Sequence, residues 1–273
     1  MMKIKKLSLL VTSLFLLINL TPSCSEPKEK IVIDEVVKEK IFSFFNESDS
    51  IVKTRFNPPI GYTRVEATEG SFDSYLQNLP LKEHGSKVYH FDGTLKSNTS
   101  AYCAVVDLPF RGNKNYQCAD AVMRLRADYL FSQKRFDEIE FLYVSGKKLN
   151  YLSYLEGKTP SADNLWSYLC VVFSYANTYS LNKQLKSKST NELEIGNVFI
   201  IGGFPGHVVI VVDKCRNAKG EVKFMLAQSY MPAQDIQILF GDHKESPWYD
   251  LNFGEILNTP EFQFSKNDFK SFD

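Results

Sequence analysis

The chain has 273 residues, and its 32 Lys and Arg balance 32 Asp and Glu, so the formal net charge is zero. A protein with this balance has no net field that would recruit nucleic acid or an acidic polymer, and we expect no nucleic-acid partner. The length suits one large domain, or a domain with a small satellite.

The N-terminus carries an export pattern. Three lysines in the first six residues precede an apolar run from Leu7 to Leu20, and Cys24 follows shortly after. The run is too short for a transmembrane helix, and the order is typical of a bacterial signal peptide. Cys24 resembles the acceptor of a lipoprotein signal. This predicts a signal peptide over residues 1–23, lipidation at Cys24, and a membrane-anchored lipoprotein of the cell envelope that faces the periplasm or the cell surface. Simple secretion is the alternative.

Two regions are predicted beyond the signal. Residues 24–55 are polar and charged apart from an apolar patch at residues 41–45, which predicts a tether and a short docking helix. The globular part, residues 56–273, is expected to begin near the Pro58-Pro59 pair, because consecutive prolines cannot continue a helix.

The first half of this domain contains short elements. Ser71 is a predicted N-cap of a helix that ends at Leu76 or Leu79. Residues 88–91 with the Asp92-Gly93 turn predict the first arm of a hairpin. The apolar run 101–108 predicts a strand.

The helix that begins at Cys118 is strongly patterned. Cys118, Val122, Leu125 and Tyr129 recur at helical spacing, while charged residues fall mostly on the other side. Cys118 is therefore expected at the helix N-terminus and on its core-facing side.

The second half changes from helix to strands. A long buried helix is predicted from Asp163 to Leu181. Strands are then predicted at 198–201, 208–213 and 223–230, with a turn at 217–220 between the last two. A helix-rich half followed by an antiparallel meander is an α+β pattern.

Two residues carry the predicted chemistry. A helix N-terminus stabilises an anion, so a thiol at Cys118 with an imidazole partner is expected to have its pKa lowered until it is a thiolate at neutral pH. His207 opens an apolar strand that would hold its ring rigidly as the base. The alternative is that Cys118 is only a packed thiol.

A third group must orient the His207 ring. With the turn at 217–220, His207 should lie opposite residues 227–231, so Gln228 is the candidate orienter and Tyr230 is a neighbour on the same face. Asp213 shares the strand with His207 but lies about 20 Å along it, and is excluded. The backbone N–H of Cys118, helped by Gln117, is expected to bind the oxyanion.

The strand around His207 resembles a known enzyme family. Residues 193–200 and 206–210 are similar to the "pGD-v-f … gHv-i" stretch of papain-like cell-wall peptidases of the NlpC type, although Asn197 stands where those enzymes usually have Asp. The resemblance implies a papain-like core of helices packed on an antiparallel sheet, with an N-terminal extension. It also implies Cys118 as nucleophile, His207 as base and Gln228 as orienter.

A longer resemblance covers nearly the whole predicted mature chain. The motifs that carry it include residues 59–65, 71–76, 117–127, 202–207, 227–234 and 246–249. They are similar to the bacterial envelope family called domain of unknown function 4846. The family name supplies no activity.

Two functions follow as hypotheses. The first is a cysteine hydrolase (amidase, peptidase or esterase) that acts through an acyl-enzyme on an envelope amide or ester, such as a cell-wall peptide; an acyltransferase is a variant of it. The second is a non-catalytic envelope binding module on a degenerate papain-like fold. No cofactor is predicted, and without CxxC pairs or zinc spacing no metal site is predicted. The four cysteines after Cys24 are compatible with two disulfides or with buried thiols.

Overall fold

The computed structural model describes residues 43–243 and 245–272. These residues belong to one compact unit, Phe42–Asp273. The predicted signal peptide, Cys24 and most of the predicted tether lie outside the described residues. Within them, no helix is both long and apolar enough to cross a membrane.

The described residues contain six α-helices and thirteen strands. The helices are α1 Val52–Arg55, α2 Phe72–Gln77, α3 Cys118–Ser132, α4 Tyr151–Leu155, α5 Ala162–Tyr175 and α6 Thr178–Gln184. The strands are β1 Tyr62–Arg64, β2 Tyr102–Val105, β3 Glu140–Leu142, β4 Lys148–Asn150, β5 Lys186–Ser187, β6 Val198–Ile201, β7 His207–Asn217, β8 Val222–Gln228, β9 Gln237–Leu239, β10 Tyr249–Asp250, β11 Ile256–Asn258, β12 Gln263–Ser265 and β13 Phe269–Ser271.

Nine strands form one sheet whose main order is β2-β9-β8-β7-β6-β13-β5, while β1 pairs with β7 and β10 with β8. The pairings in the described residues are antiparallel, so the predicted α+β class with an antiparallel sheet is confirmed. Strand β7 is buried from His207 to Cys215, and α2 and α3 pack against it. Residues 208–212 of this strand are all apolar, as expected for a strand that is covered on both faces.

Asp213 in β7 is a buried charged residue with a structural role. Its carboxylate accepts hydrogen bonds from Arg64 Nε at 2.8 Å and from Gln77 Nε2 at 2.8 Å. A buried charge must be paired in this way to be tolerated. Asp213 therefore ties β7 to β1 and α2.

Three element predictions need correction. The long helix predicted from Asp163 to Leu181 is two helices, because α5 ends at Tyr175 and Asn177 caps α6 by accepting hydrogen bonds from the N–H groups of Tyr179 and Ser180. The domain begins before residue 56, since Val52 is fully buried in its core. The described part of the 41–45 patch is not helical; Phe45 instead forms a bridge with Phe56.

Residues typical of helix caps and turns did predict local structure. Ser71 caps α2 and accepts a hydrogen bond from the N–H of Ser74 at 3.1 Å. The turn at residues 217–220 closes with a hydrogen bond from the Gly220 N–H to the Asn217 carbonyl at 3.0 Å. That turn sets the register of β7 against β8. It thereby places the polar start of β7 and the polar end of β8 next to each other, at the end of the strand pair opposite the turn.

Candidate functional site

Cys118 is the first residue of α3. Gln117 is the N-cap, and its backbone N–H donates to Asp120 Oδ2 at 2.8 Å, which closes the first turn. Cys118 is 8% exposed. Backbone N–H groups of Cys118, Ala119 and Val208 interact with its sulfur. Since Val208 follows His207 directly, the sulfur lies beside the start of β7.

His207 is the first residue of β7, and a tight turn after β6 places it. A Cβ atom at Gly206 would lie 2.4 Å from Thr178 Oγ1 and 2.5 Å from the Gly203 carbonyl oxygen. Real Cβ atoms do not approach so closely, so only glycine fits there. The turn is therefore packed onto α6, and the position of the His207 ring follows from it.

Gln228, the last residue of β8, bonds the His207 ring. His207 Nε2 and Gln228 Oε1 are 2.7 Å apart. Gln228 Nε2 donates to Glu261 Oε2 at 2.7 Å, which assigns Oε1 as the amide atom that faces the ring. An amide oxygen only accepts, so Nε2 of His207 carries the proton and the neutral ring has its lone pair on Nδ1.

Cys118 and His207 line one cleft of about 370 Å³. Gln117 and Tyr230 also line it, so the cleft gathers four of the five residues predicted for the site. Gln228 is only 1% exposed and lies behind the ring, where an orienting group belongs. The remaining lining is Asn115, Ala119, Asp120, Phe173, Ala176, Asn177, Thr178, Gly203, Phe204, Pro205, Gly206, Met231 and Phe262.

The electrostatics of Cys118 differ from the sequence prediction. Burial raises the pKa of its thiol to about 12, the charge of Asp120 adds to the rise, and the backbone N–H groups at the helix start offset only part of it. The predicted thiolate at neutral pH is therefore wrong for the site without substrate. The reason is that the free-energy penalty for desolvating a buried thiolate is larger than the electrostatic stabilisation from the helix N-terminus.

His207 is neutral for the same reason. Burial lowers its pKa to about 4; the hydrogen bond to Gln228 and the charge of Glu261 oppose this shift, and Lys96 adds to it. The rings of Tyr230 and Phe262 lie with centroids 4.7 Å and 5.1 Å from the imidazole. The site without substrate thus holds a neutral thiol and a neutral imidazole. Such a pair acts by transferring the proton during attack rather than before it.

Asp120 is a further ionisable group in the cleft wall. Burial raises the pKa of its carboxyl to about 8, against hydrogen bonds from the backbone N–H groups of Gln117 and Asp120 that lower it. Its Oδ1 is buried and has no hydrogen-bond partner among the described residues. Because the carboxyl at this position is neutral, it places no negative charge beside Cys118 to oppose the development of negative charge on its sulfur.

The replacement Asp120→Asn is expected to remove a pH-dependent loss of stability. The folded protein keeps this proton up to about pH 8, whereas the unfolded chain releases it near pH 4. Stability therefore falls as pH rises through this window, by at most about 1.4 kcal/mol per pH unit from this group. Urea unfolding at pH 5 and pH 7.5 should show the variant losing less stability than the native chain. Equal losses in both would contradict the account of Asp120.

Sequence reasoning missed several contributors. Glu261 and Phe262 come from the loop between β11 and β12, and Lys96 directly follows Leu95, which forms a bridge with Tyr89. Their local sequences contain no signal of a site. Asp120 lies two residues after Cys118 in α3, and the helical pattern gives no indication that its carboxyl lines the cleft.

The other three cysteines in the described residues do not line this cleft. Cys103, Cys118, Cys170 and Cys215 are all free thiols in the structure. Burial raises the pKa of Cys215 to about 12, as expected for a packed thiol. In the described part of the chain, no three His, Cys, Asp or Glu residues come together in a way that could hold a metal ion.

Comparison with protein-family models matches the chain to the family described as "Domain of unknown function (4846)" over residues 52–163 and 158–271. The matched segments include every residue that lines the cleft. Neither a curated protein nor a solved structure matches the chain.

Proposed function

This chain belongs to the family described as domain of unknown function 4846, and we propose that it is a cysteine hydrolase of amides or esters. Cys118 is the nucleophile, His207 the general base and Gln228 the residue that orients the base. The observation that carries the proposal is the cleft itself. A thiol at a helix start and an imidazole whose Nε2 is held by Gln228 line the same cavity.

The reaction follows from these positions. As the Cys118 sulfur attacks the substrate carbonyl carbon, its proton passes to Nδ1 of His207, the nitrogen that holds the lone pair. The imidazolium that forms keeps its Nε2–H bond to Gln228. N–H groups at the start of α3 are free of intrahelical partners and favour the oxyanion.

The second half of the reaction restores the site. The imidazolium gives its proton to the leaving amine or alcohol as the carbonyl–heteroatom bond breaks, which leaves a thioester on Cys118. Water then attacks the thioester while His207 accepts its proton, and the acid product departs as the sulfur regains a proton. An amine or alcohol in place of water would give acyl transfer.

The order of site residues supports a papain-like arrangement. A helix begins at Cys118, and two antiparallel neighbours, β7 and β8, then supply His207 and Gln228. This is the order of the NlpC-type peptidases that the sequence resembles. The export pattern supports a place in the cell envelope, with a lipid on Cys24 as the membrane attachment. An envelope amide or ester, such as a cell-wall peptide, is then the proposed substrate.

The cleft favours an uncharged, apolar acyl group. Its described lining contains no Lys, Arg or Glu, and much of it is apolar: Phe173, Ala176, Phe204, Pro205, Met231 and Phe262. Phe204 is 96% exposed and Met231 57% exposed, so both present apolar surface that a substrate can cover.

Hydrolysis of a p-nitrophenyl ester series, from acetyl to hexanoyl, tests this specificity. Each methylene buried against the lining is worth about 0.8 kcal/mol, so kcat/KM should rise about fourfold per added carbon until the cleft is full. The variant Phe204→Ala should flatten this rise without lowering stability, because the side chain is almost fully exposed. A chain-length dependence that is absent, or unchanged in the variant, would contradict the apolar acyl site.

A second function has support from the same surface. The neutral thiol and imidazole, together with exposed Phe204 and Met231, are compatible with a module that binds an envelope ligand without turnover. Ligand binding that is retained in Cys118→Ala, with no ester hydrolysis in the native chain, would favour this alternative.

A further inference from the structure

Gln228 is held from behind by the largely buried carboxylate of Glu261. Glu261 accepts hydrogen bonds from Gln228 Nε2 at 2.7 Å and from Asn98 Nδ2 at 3.2 Å. Lys96 Nζ lies 2.8 Å from Oε1 and 2.9 Å from Oε2 of the same carboxylate. The Lys96 ammonium also donates to Gln234 Oε1 at 3.1 Å. Both carboxylate oxygens are therefore fixed in place.

This ion pair is set in the protein interior. The side chains of Lys96 and Glu261 are only 5% and 12% exposed. Burying two charges is costly unless they are paired and hydrogen-bonded, and replacing such a pair by apolar residues is often neutral or stabilising. The contacts of this pair indicate a role other than stability, because one of its oxygens is the acceptor for Gln228 Nε2 among the described residues.

We propose that Glu261 is a positioning residue that fixes the amide of Gln228, and through it the tautomer of His207. The inference rests on the proposed function of the site. With Glu261 in place, Gln228 Nε2 must donate to the carboxylate, so Oε1 faces the imidazole. Without that acceptor the amide has no reason to keep one orientation. An amide turned by half a rotation presents N–H to the ring, which selects the tautomer with the lone pair on Nε2.

The wrong tautomer disables the base. Nδ1 of His207 would then carry the proton, and it could not accept one from Cys118. The loss is expected in kcat rather than KM, since Glu261 does not line the cleft. The loop that supplies Glu261 is fixed locally: the Thr259 N–H donates to the Phe262 carbonyl at 2.9 Å, and Phe262 itself contacts the imidazole.

The direct test reads the tautomer without any substrate. Nitrogen NMR of protein labelled at its four histidines should show His207 as a single Nε2–H tautomer, assigned by the signal that disappears in His207→Gln. In Glu261→Ala the Nδ1–H tautomer should appear and kcat for the p-nitrophenyl ester should fall about tenfold to a hundredfold, with KM within about twofold. An unchanged tautomer in Glu261→Ala would overturn the inference even if the protein hydrolyses esters.

Two further variants separate orientation from charge and from folding. In Lys96→Met with Glu261→Gln, the new amide oxygen still accepts from Gln228 and no charge is left unpaired, so the Nε2–H tautomer and most of kcat should be retained. Glu255→Ala removes a carboxylate that lies before β11 and is 86% exposed; it should change neither. Loss of the tautomer in the double variant would show that the charge, not the acceptor, is required, and would contradict the proposal.

The same measurements keep this inference distinct from the proposed hydrolase. If the native chain hydrolyses no ester but Glu261→Ala still changes the His207 tautomer, the positioning role holds and the hydrolase proposal fails.

Discussion

Replacing Cys118 by alanine is expected to lower kcat/KM for ester hydrolysis by about a thousandfold or more, because the replacement removes the nucleophile and any acyl-enzyme route. The fold should survive, since alanine is compatible with the helix start. Steady-state kinetics with the p-nitrophenyl series measure the loss. Thermal unfolding, monitored by circular dichroism, shows that the variant is folded.

A matched thiol serves as the control. Cys170 lies in α5 and accepts a hydrogen bond from Asn113, outside the cleft lining. Cys170→Ala should keep native kinetics. Equal activity in Cys118→Ala and the native chain would rule out the nucleophile, whatever Cys170→Ala does.

Replacing His207 by alanine should produce the second largest loss, about a hundredfold to ten-thousandfold in kcat, because the thiol, whose pKa is about 12, is left without a base. The variant should also lose about 1–3 kcal/mol of stability, since Gln228 Oε1 would be buried without a donor. The imidazole-sized space beside the cleft should let added imidazole restore part of the rate.

The chemical rescue distinguishes catalysis from structure. A role limited to packing would be repaired by a ring of similar size such as Phe, and free imidazole would have no effect. Activity in His207→Phe above a tenth of the native value would contradict the assignment of His207 as the base.

The core of the site was predictable because local patterns encode it. The helical spacing after Cys118 predicts where α3 begins, and the apolar run after His207 predicts β7. The 217–220 turn then pairs β8 with β7 so that Gln228 lies beside His207. Each step depends on neighbours in sequence or on a single hairpin, for which periodicity and turn chemistry are reliable guides.

The break between α5 and α6 shows where helical periodicity alone fails to predict the structure. Residues 163–181 keep a helical apolar pattern, which predicts one helix. Asn177 nevertheless caps a new helix, and Ser180 Oγ accepts a hydrogen bond from the Asn177 backbone N–H at 3.0 Å. This capping box was visible in the sequence and outweighs the periodicity. The break matters because Thr178 then packs against the Gly206 turn that places His207.

Glu261 and the protonation states could not be obtained from sequence. The Lys96–Glu261 pair joins residues 165 positions apart, and a contact of that separation leaves no local pattern. The pKa of Cys118 depends on burial: the helix N-terminus predicts a lower value, while desolvation in the folded chain raises it. Only the packed structure decides which effect is larger.

The proposal that Cys118 and His207 perform acyl transfer is tested most directly by trapping the acyl-enzyme. Protein mixed with p-nitrophenyl hexanoate and quenched rapidly in acid should carry one hexanoyl group, which peptide mass spectrometry should locate on Cys118 and which hydroxylamine should remove. A burst of one p-nitrophenolate per chain should accompany it, and both should be absent from Cys118→Ala. Ester hydrolysis that continues unchanged in Cys118→Ala, or hexanoyl groups found only on other residues, would contradict the account.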